Sequence, residues 1–282
     1  MMNANILVAT DNLSYEDWLK YRRQGIGGSD VSSILGINKW VSCIELWLDK
    51  TNQKHRSTET NEAMEWGTIL EPVIRNHFSV VTGKPVKEVK AILQHPKYHF
   101  MLADVDGITS DDNGNSAILE IKTASEYKRD EWADGTPAYY VSQCQHYLCV
   151  TGLSKAYVAV LIGGNTFRIF EVDSDTDIQR MLISVEESFW NKVQNVIRRR
   201  LEKINRKLGI KHKSPHKLRK TYASILLDNN LDNNLITSLM GHTDISMTEG
   251  HYHRDRKDQD KKNALVSNLV EFKAKTYGIK VQ

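Results

Sequence analysis

YHFMLADVDGITSDDNGNSAILEIK, residues 98–122, sets two strand-like runs on either side of an Asp-Asn-Gly turn. The first run ends in Asp106-Gly107, and the second carries Glu120 and Lys122. Residues two apart on a strand point to the same face, so Glu120 and Lys122 share one. A hairpin closing at residues 111–115 brings Asp106 beside Glu120. Two carboxylates and a lysine converging on one sheet face give hard oxygen ligands for Mg²⁺ and a cation to orient water. Those are the parts phosphodiester hydrolysis needs. The same E-x-K spacing is also common on solvated edge strands, so the pattern needs its context.

Working outward, VKEVKAILQ (86–94) precedes the hairpin as a strand, and KAYVAVLIG (155–163) and TFRIFEV (166–172) follow it. Gly163-Gly164-Asn165 joins the last two. A long helix is expected from about Asn61 to Val81, stopping at Gly83, and it carries Glu71 as a third candidate carboxylate. Ser42 with Glu45 three residues on is a capping-box pattern opening SCIELWLDK. Ser29-Asp30 caps a short helix to Gly36, and Thr136-Pro137 supplies cap and first turn for AYYVSQCQHYLCVTG. Strands in the middle with helices on both sides predict an α/β (α+β) domain over residues 1–193, a mixed central sheet flanked by helices. From Asp175 the pattern stays helical to about Leu208, and residues 194–282 read as an all-helical fragment.

Composition bounds the rest. The chain has 282 residues, 40% apolar and 26% charged, ordinary for a globular protein, with no long apolar run and no basic start of a signal peptide. No membrane association is expected. Cys43, Cys144 and Cys149 form no CxxC pair, and Cys144 and Cys149 read as buried free thiols suited to a reducing cytoplasm. The net charge of +3 divides unevenly: residues 1–193 carry −7 (19 Lys+Arg, 26 Asp+Glu) and residues 194–282 carry +10 (19 against 9). A basic third suits a polyanion, although a solvated basic helix has the same charge. Trp40, Trp47, Trp66, Trp132 and Trp190 offer stacking surfaces, but their apolar helical settings assign them to the core.

The ordered blocks YRRQGIGGSDVSSILG (21–36), GTILEP (67–72), VDG (105–107), LEIK (119–122) and QCQHY (143–147) resemble the PD-(D/E)XK nuclease superfamily. Within it they are most similar to the lambda-exonuclease and YqaJ-like viral recombinase family, over about Ser14 to Val193. The PD element lacks its proline here, where Val105 precedes Asp106. The resemblance implies an exonuclease of duplex DNA ends, 5′ to 3′, in phage or mobile-element recombination. It implies Mg²⁺, with Mn²⁺ as the alternative, held by Asp106, Glu120 and the carbonyl of Ile121. Lys122 would position or activate water, Glu71 would complete the acidic shell, and Gln143 would support the nucleophile or the lysine. Tyr147, one turn on, is left between site contact and packing. Arg22 and Ser29 match the residues that hold the 5′-phosphate, with Arg23 as a second choice for Arg22. Gly27, Gly28 and Ser29 stand before a helix N-terminus, whose N–H groups favour an anion. Implied partners are double-stranded DNA ends, a single-strand annealing protein and further copies of the chain in a ring around DNA. The setting implied is the cytoplasm of a bacterium or a phage-infected host.

SPHKLRKTYASILLD and LITSLMGHTDISMTEGHYHR, in the last third, resemble the catalytic half of tyrosine recombinases of the phage integrase family. His216 and Arg219 fit its H-x-x-R element, His242 its second histidine, and Tyr252 the nucleophile that forms a phosphotyrosyl link. The family's upstream Arg and hairpin Lys have no counterpart, because the helix QNVIRRRLEKINRKLGIK occupies that place. The fragment is therefore expected to be truncated. Three candidate functions result: the exonuclease, a site-specific recombinase acting through Tyr252, and a non-catalytic DNA-binding chimera.

Overall fold

The computed structural model describes residues 2–53 and 62–207. The chain divides into two units between Gln194 and Asn195, and every described strand belongs to the first. His216, Arg219, His242 and Tyr252, with most of the fragment expected to be helical, lie outside the described residues.

Among the described residues, eight strands form two mixed four-stranded sheets. In one, β1 (Asn5–Ala9), β3 (Ala91–Gln94), β4 (Met101–Ala103) and β2 (Ile26–Gly27) lie side by side in that order. In the other the order follows the chain: β5 (Gly107–Ser110), β6 (Ser116–Ala124), β7 (Lys155–Ile162) and β8 (Thr166–Asp173). The α/β class expected from the sequence holds, but the single central sheet becomes two. Both runs expected to be continuous strands cross between them. Lys87 bridges Ile108 in the second sheet, and four residues later its chain has become β3 of the first. The 98–107 run breaks at Asp104–Asp106, leaving β4 in the first sheet and starting β5 in the second. The break has a polar cause. Pairing of β5 with β6 ends at Gly107↔Leu119, and the next free amide, Ile121 N–H, donates to the Asp106 carboxylate at 2.7 Å instead of to a backbone carbonyl.

Turns close the second sheet as its sequence demands. Asp111 Oδ1 accepts from the amides of Asn113 and Asn115, with Gly114 at φ 79°. Gly163 and Gly164, the first two of the three residues that link β7 to β8, both take positive φ (61° and 76°), which glycine adopts without steric cost.

Six α-helices occur among the described residues: α1 (Tyr15–Arg22), α2 (Gly28–Ile34), α3 (Cys43–Lys50), α4 (Glu62–Thr82), α5 (Ala138–Thr151) and α6 (Thr176–Lys207). The Ser42–Glu45 capping box forms as expected. Two other starts shift. Gly27, not Ser29, is the N-cap of α2, with Asp30 accepting from its amide at 3.0 Å. Pro137, not Thr136, caps α5, because proline has no amide to leave unpaired there.

β6 lies between two helices and alternates accordingly. Ala117, Leu119 and Ile121 pack with Ile74 and Phe78 of α4. On the other face Ile118 joins Cys144, Tyr147 and Leu148 of α5, together with Leu93 and Met101 of the first sheet. One helix thus covers the junction of both sheets. Trp132 is core as expected, but Trp40 and Trp66 are more than half exposed, while Trp47 and Trp190 are half-buried. Cys144 is buried and Cys149 partly so, both as free thiols.

Candidate active site

Glu120 is the polar interruption in the apolar run of β6, and it is 2% exposed. Its Oε1 accepts from Lys122 Nζ at 2.5 Å and from Gln143 Nε2 at 2.6 Å. The first contact follows from the two-residue strand period, and the second from α5 lying on that face. Gln143 Nε2 also donates to the Tyr147 hydroxyl at 3.1 Å. Tyr147 therefore packs against the core and touches the site at once.

Burial, then the charge of Asp106, pushes the Glu120 carboxyl up to about 8, against the pull of Lys122. Burial raises Asp106 as well, opposed by Lys122 and by the Ile121 amide. Burial alone would discharge Lys122, yet Glu120 and Asp106 hold its pKa above the ordinary lysine value. One cation between two buried acids leaves the cluster short of positive charge.

A cleft of about 430 Å³ opens over this cluster. It gathers Arg22, Ser29, Glu71, Asp106, Glu120, Lys122, Gln143 and Tyr147, which come from five different elements and the loop after β4. Ile121 supplies backbone beside it rather than its side chain, which faces α4. Glu71 reaches the cleft from α4, where its carboxylate is bonded to Arg75. Burial first and Asp106 second raise its pKa. Arg22 Nη2 donates to Ser29 Oγ at 2.9 Å, and the Arg22 guanidinium lies 4.9 Å from the Trp18 ring centroid. Arg23 turns elsewhere, to Asp49 at 3.2 Å, so only Arg22 of the two lines the cleft.

Buried Asp30 and Lys50, 2.8 Å apart, hold the backbone around Arg22 and Gly27 in place. Asp30 grips the Gly27 amide, and Lys50 donates to the Arg22 carbonyl at 2.8 Å. Gly28 has no room for a side chain: a Cβ there would meet Tyr147 Cε1 at 2.5 Å and Gln143 Cγ at 2.9 Å.

Sequence reading missed Trp18, Asp104 and Arg75, all of which line the cleft. Trp18 Nε1 donates to Asp104 Oδ2 at 2.9 Å. The D-x-D spacing of Asp104 and Asp106 was a readable signal, since strand periodicity turns both to one side.

Does the cluster suit a metal ion? Glu120 Oε2 is buried without a hydrogen-bond partner, an orphan oxygen that a cation would satisfy. No group of three His, Cys, Asp or Glu side chains forms a metal cage among the described residues. Two carboxylates completed by a backbone carbonyl and waters are what Mg²⁺ accepts, because it dehydrates reluctantly. The donor set fits.

Residues 17–154 match the model of the YqaJ-like viral recombinase domain, and residues 179–259 match that of the phage integrase family. These are the two families the motifs pointed to, in the same order. The chain is 47% identical over 191 residues to the uncharacterized protein YqaJ of Bacillus subtilis (strain 168). That alignment takes in 67% of this chain and spans 59% of the relative. Among solved structures it resembles an alkaline exonuclease of Laribacter hongkongensis, with TM-score 0.58 and 22% identity over 68% of this chain and 99% of that one. The same exonuclease in complex with dAMP aligns with TM-score 0.55 and 21% identity over 68% and 97% of the two chains. At those identities the likeness is one of fold.

Proposed function

We propose that this chain, a YqaJ-like domain joined to a phage-integrase segment, is a Mg²⁺-dependent exonuclease of DNA ends that works 5′ to 3′ in phage or mobile-element recombination. The domains are residues 1–193 for the nuclease and 194–282 for a recombinase-derived segment that binds DNA. The carrying observation is one cleft holding an acid–lysine–glutamine cluster at one side and an arginine–serine pair at the other. A strand end has two features to recognise, a terminal phosphate and a scissile phosphodiester, and the cleft offers a distinct cationic group for each.

Asp106, Glu120 and the Ile121 carbonyl would hold Mg²⁺, or Mn²⁺ in its place, which supplies Lewis acidity at the scissile phosphate. Lys122 orients the attacking water from the same strand face as Glu120. Gln143 fixes the Glu120 carboxylate, and through Tyr147 it is itself held against α2. Glu71 adds negative charge beside Asp106, tempered by Arg75. Arg22 and Ser29 bind the 5′-phosphate, which sets direction by accepting that end first. The exonuclease fold of the Laribacter enzyme supports the reading. Its partners are duplex DNA ends, a single-strand annealing protein and further copies of the chain, in the cytoplasm of a bacterial or phage-infected host.

The test is digestion of linear duplex DNA bearing a 5′-phosphate, in Mg²⁺ and in EDTA, beside Glu120→Gln. Nucleotide release that needs Mg²⁺ and falls at least about 10²-fold in the variant is expected. Unchanged digestion by Glu120→Gln would refute the site. No digestion by folded wild type would favour the DNA-binding chimera.

The integrase match favours a second reading, strand transfer through Tyr252 with His216, Arg219 and His242. A covalent adduct with a nicked suicide substrate, absent in Tyr252→Phe, would establish it. The missing upstream Arg and Lys predict no adduct.

A further inference from the structure

A second, wider groove of about 1170 Å³ shares Trp18, Arg22, Glu71, Asp106 and Lys122 with the inner cleft, so the two meet over the acidic cluster. Its character is different. Away from that seam its lining includes Tyr15, Trp40, Ile69 and Tyr140, with Glu65 and Lys128 as charged members. Trp40, Tyr15 and Ile69 are each more than half exposed. Exposed aromatics next to a polyanion-cleaving centre call for an occupant that is itself flat, apolar and attached to a phosphate.

We infer that this groove binds an unpaired nucleobase of the DNA strand being cut, stacked on Trp40, with Lys128 serving the adjoining phosphate. The inference rests on the nuclease reading of the inner cleft. Trp40 is built to present its ring. Its amide and that of Val41 are fixed by Asn38 Oδ1 at 2.8 and 2.9 Å, and Asn38 is tied to Ser32 Oγ at 2.9 Å. The indole meets the Tyr139 ring edge-on, with centroids 5.4 Å apart, so it is braced without being covered. Tyr140, next along α5, stands under Lys122 Nζ at 4.9 Å and extends the aromatic wall to the reacting centre.

Lys128 Nζ lies 4.4 Å from the Trp40 ring centroid, in the layer a stacked base would take. An exposed cation–π contact is weaker than base–indole stacking, so a base displaces the ammonium, which then has a phosphate to move to. The groove lining balances Arg22, Lys122 and Lys128 against Glu65, Glu71 and Asp106. What identifies the occupant is the cation seated on the Trp40 ring and the groove's junction with the inner cleft, where the strand being cut would lie. Stacking does not read hydrogen-bond edges, so the site takes any of the four bases. A substrate whose end offers unpaired bases therefore engages more tightly than one that does not.

The experiment uses the full chain and a duplex whose 5′-phosphorylated strand ends in three unpaired nucleotides. One version carries thymines and the other abasic residues, and binding is measured by fluorescence anisotropy in EDTA so that nothing is cut. Wild type is expected to bind the thymine end about tenfold more tightly than the abasic end. Trp40→Ala should erase that ratio while keeping the abasic affinity, and Trp40→Phe should retain part of it. A ratio near one in wild type, or one unchanged by Trp40→Ala, would overturn the inference. The nuclease reading is judged separately by Mg²⁺-dependent digestion. A base-dependent ratio together with absent digestion would remove that reading while leaving the stacking site standing.

Discussion

Residues in and around the cluster are shaped by one another more than by their own chemistry. Glu120 is costly to bury, and it is tolerated because Lys122 and Gln143 both donate to the same oxygen. Its second oxygen has no hydrogen-bond partner, which leaves binding capacity that a cation would satisfy. Gly28 shows how narrow the tolerance is. Its φ is not in the left-handed region, so alanine suits its backbone, and only space forbids it. A Cβ there drives into Tyr147 and Gln143, which pass the displacement to Glu120. Gly28→Ala is expected to cost about 1–3 kcal/mol in stability through overpacking. The larger effect should be on kcat, roughly 10²-fold if the glutamine moves by about 1 Å. Steady-state digestion beside thermal unfolding separates the two, and a stability loss without a rate loss would detach Gln143 from the chemistry.

At the scale of elements, the part of α6 that lies in the first unit is anchored to the rest of that unit by a fully buried pair. His146 on α5 meets Glu186 Oε1 at 2.9 Å and the Leu102 carbonyl of β4 at 2.9 Å. A carbonyl only accepts, so Nε2 donates to it; opposite an ionised Glu186, Nδ1 donates as well and the ring is an imidazolium. Burial opposes that charge, but Glu186, the Leu102 carbonyl and Asp30 outweigh it and raise the His146 pKa above 6.5. The folded state therefore keeps a proton that the unfolded chain releases near its own value. The stabilisation is fully present below about pH 6.5 and is lost as pH rises through the folded value. Glu186→Gln should cost about 3 kcal/mol at pH 6, where it leaves a buried cation unpaired, and less as pH rises. Unfolding midpoints measured from pH 6 to 9 should converge for wild type and variant; parallel curves would mean the pair is not charged. Elements of this kind were only partly legible. The hairpin at 111–115 and the helices α4 to α6 announce themselves through turn residues and long apolar periods. β2, two residues long, has no period to read, and the Ser29 cap failed because Asp30 reaches back to Gly27. The exchange of strands between sheets was hidden for another reason: Asp106 ends a ladder with its side chain, which depends on where β6 lies.

Across the whole molecule, the residues that share the cleft were legible as candidates because each belongs to a short motif whose order survives in the chain, while their neighbours Trp18, Asp104 and Arg75 belong to none. Composition carries a separate message. Residues 1–193 are acidic at −7, and residues 194–282 hold +10. Under the proposed function, an acidic body that repels DNA must draw its substrate in with local cations, such as Arg22 and Lys128, or with a basic appendage. The second source is testable by salt. Each phosphate neutralised on duplex DNA contributes about −0.9 to the slope of log K against log salt. The full chain is expected to show a steep slope, of several such steps. A chain ending at Lys207, which removes most of the basic third, should lose roughly half of that slope and bind more weakly at about 150 mM salt. Its digestion at low salt should persist, because Arg22, Asp106, Glu120 and Lys122 all remain. Equal slopes for both chains would assign DNA retention to residues 1–207 and leave residues 208–282 without a role on DNA.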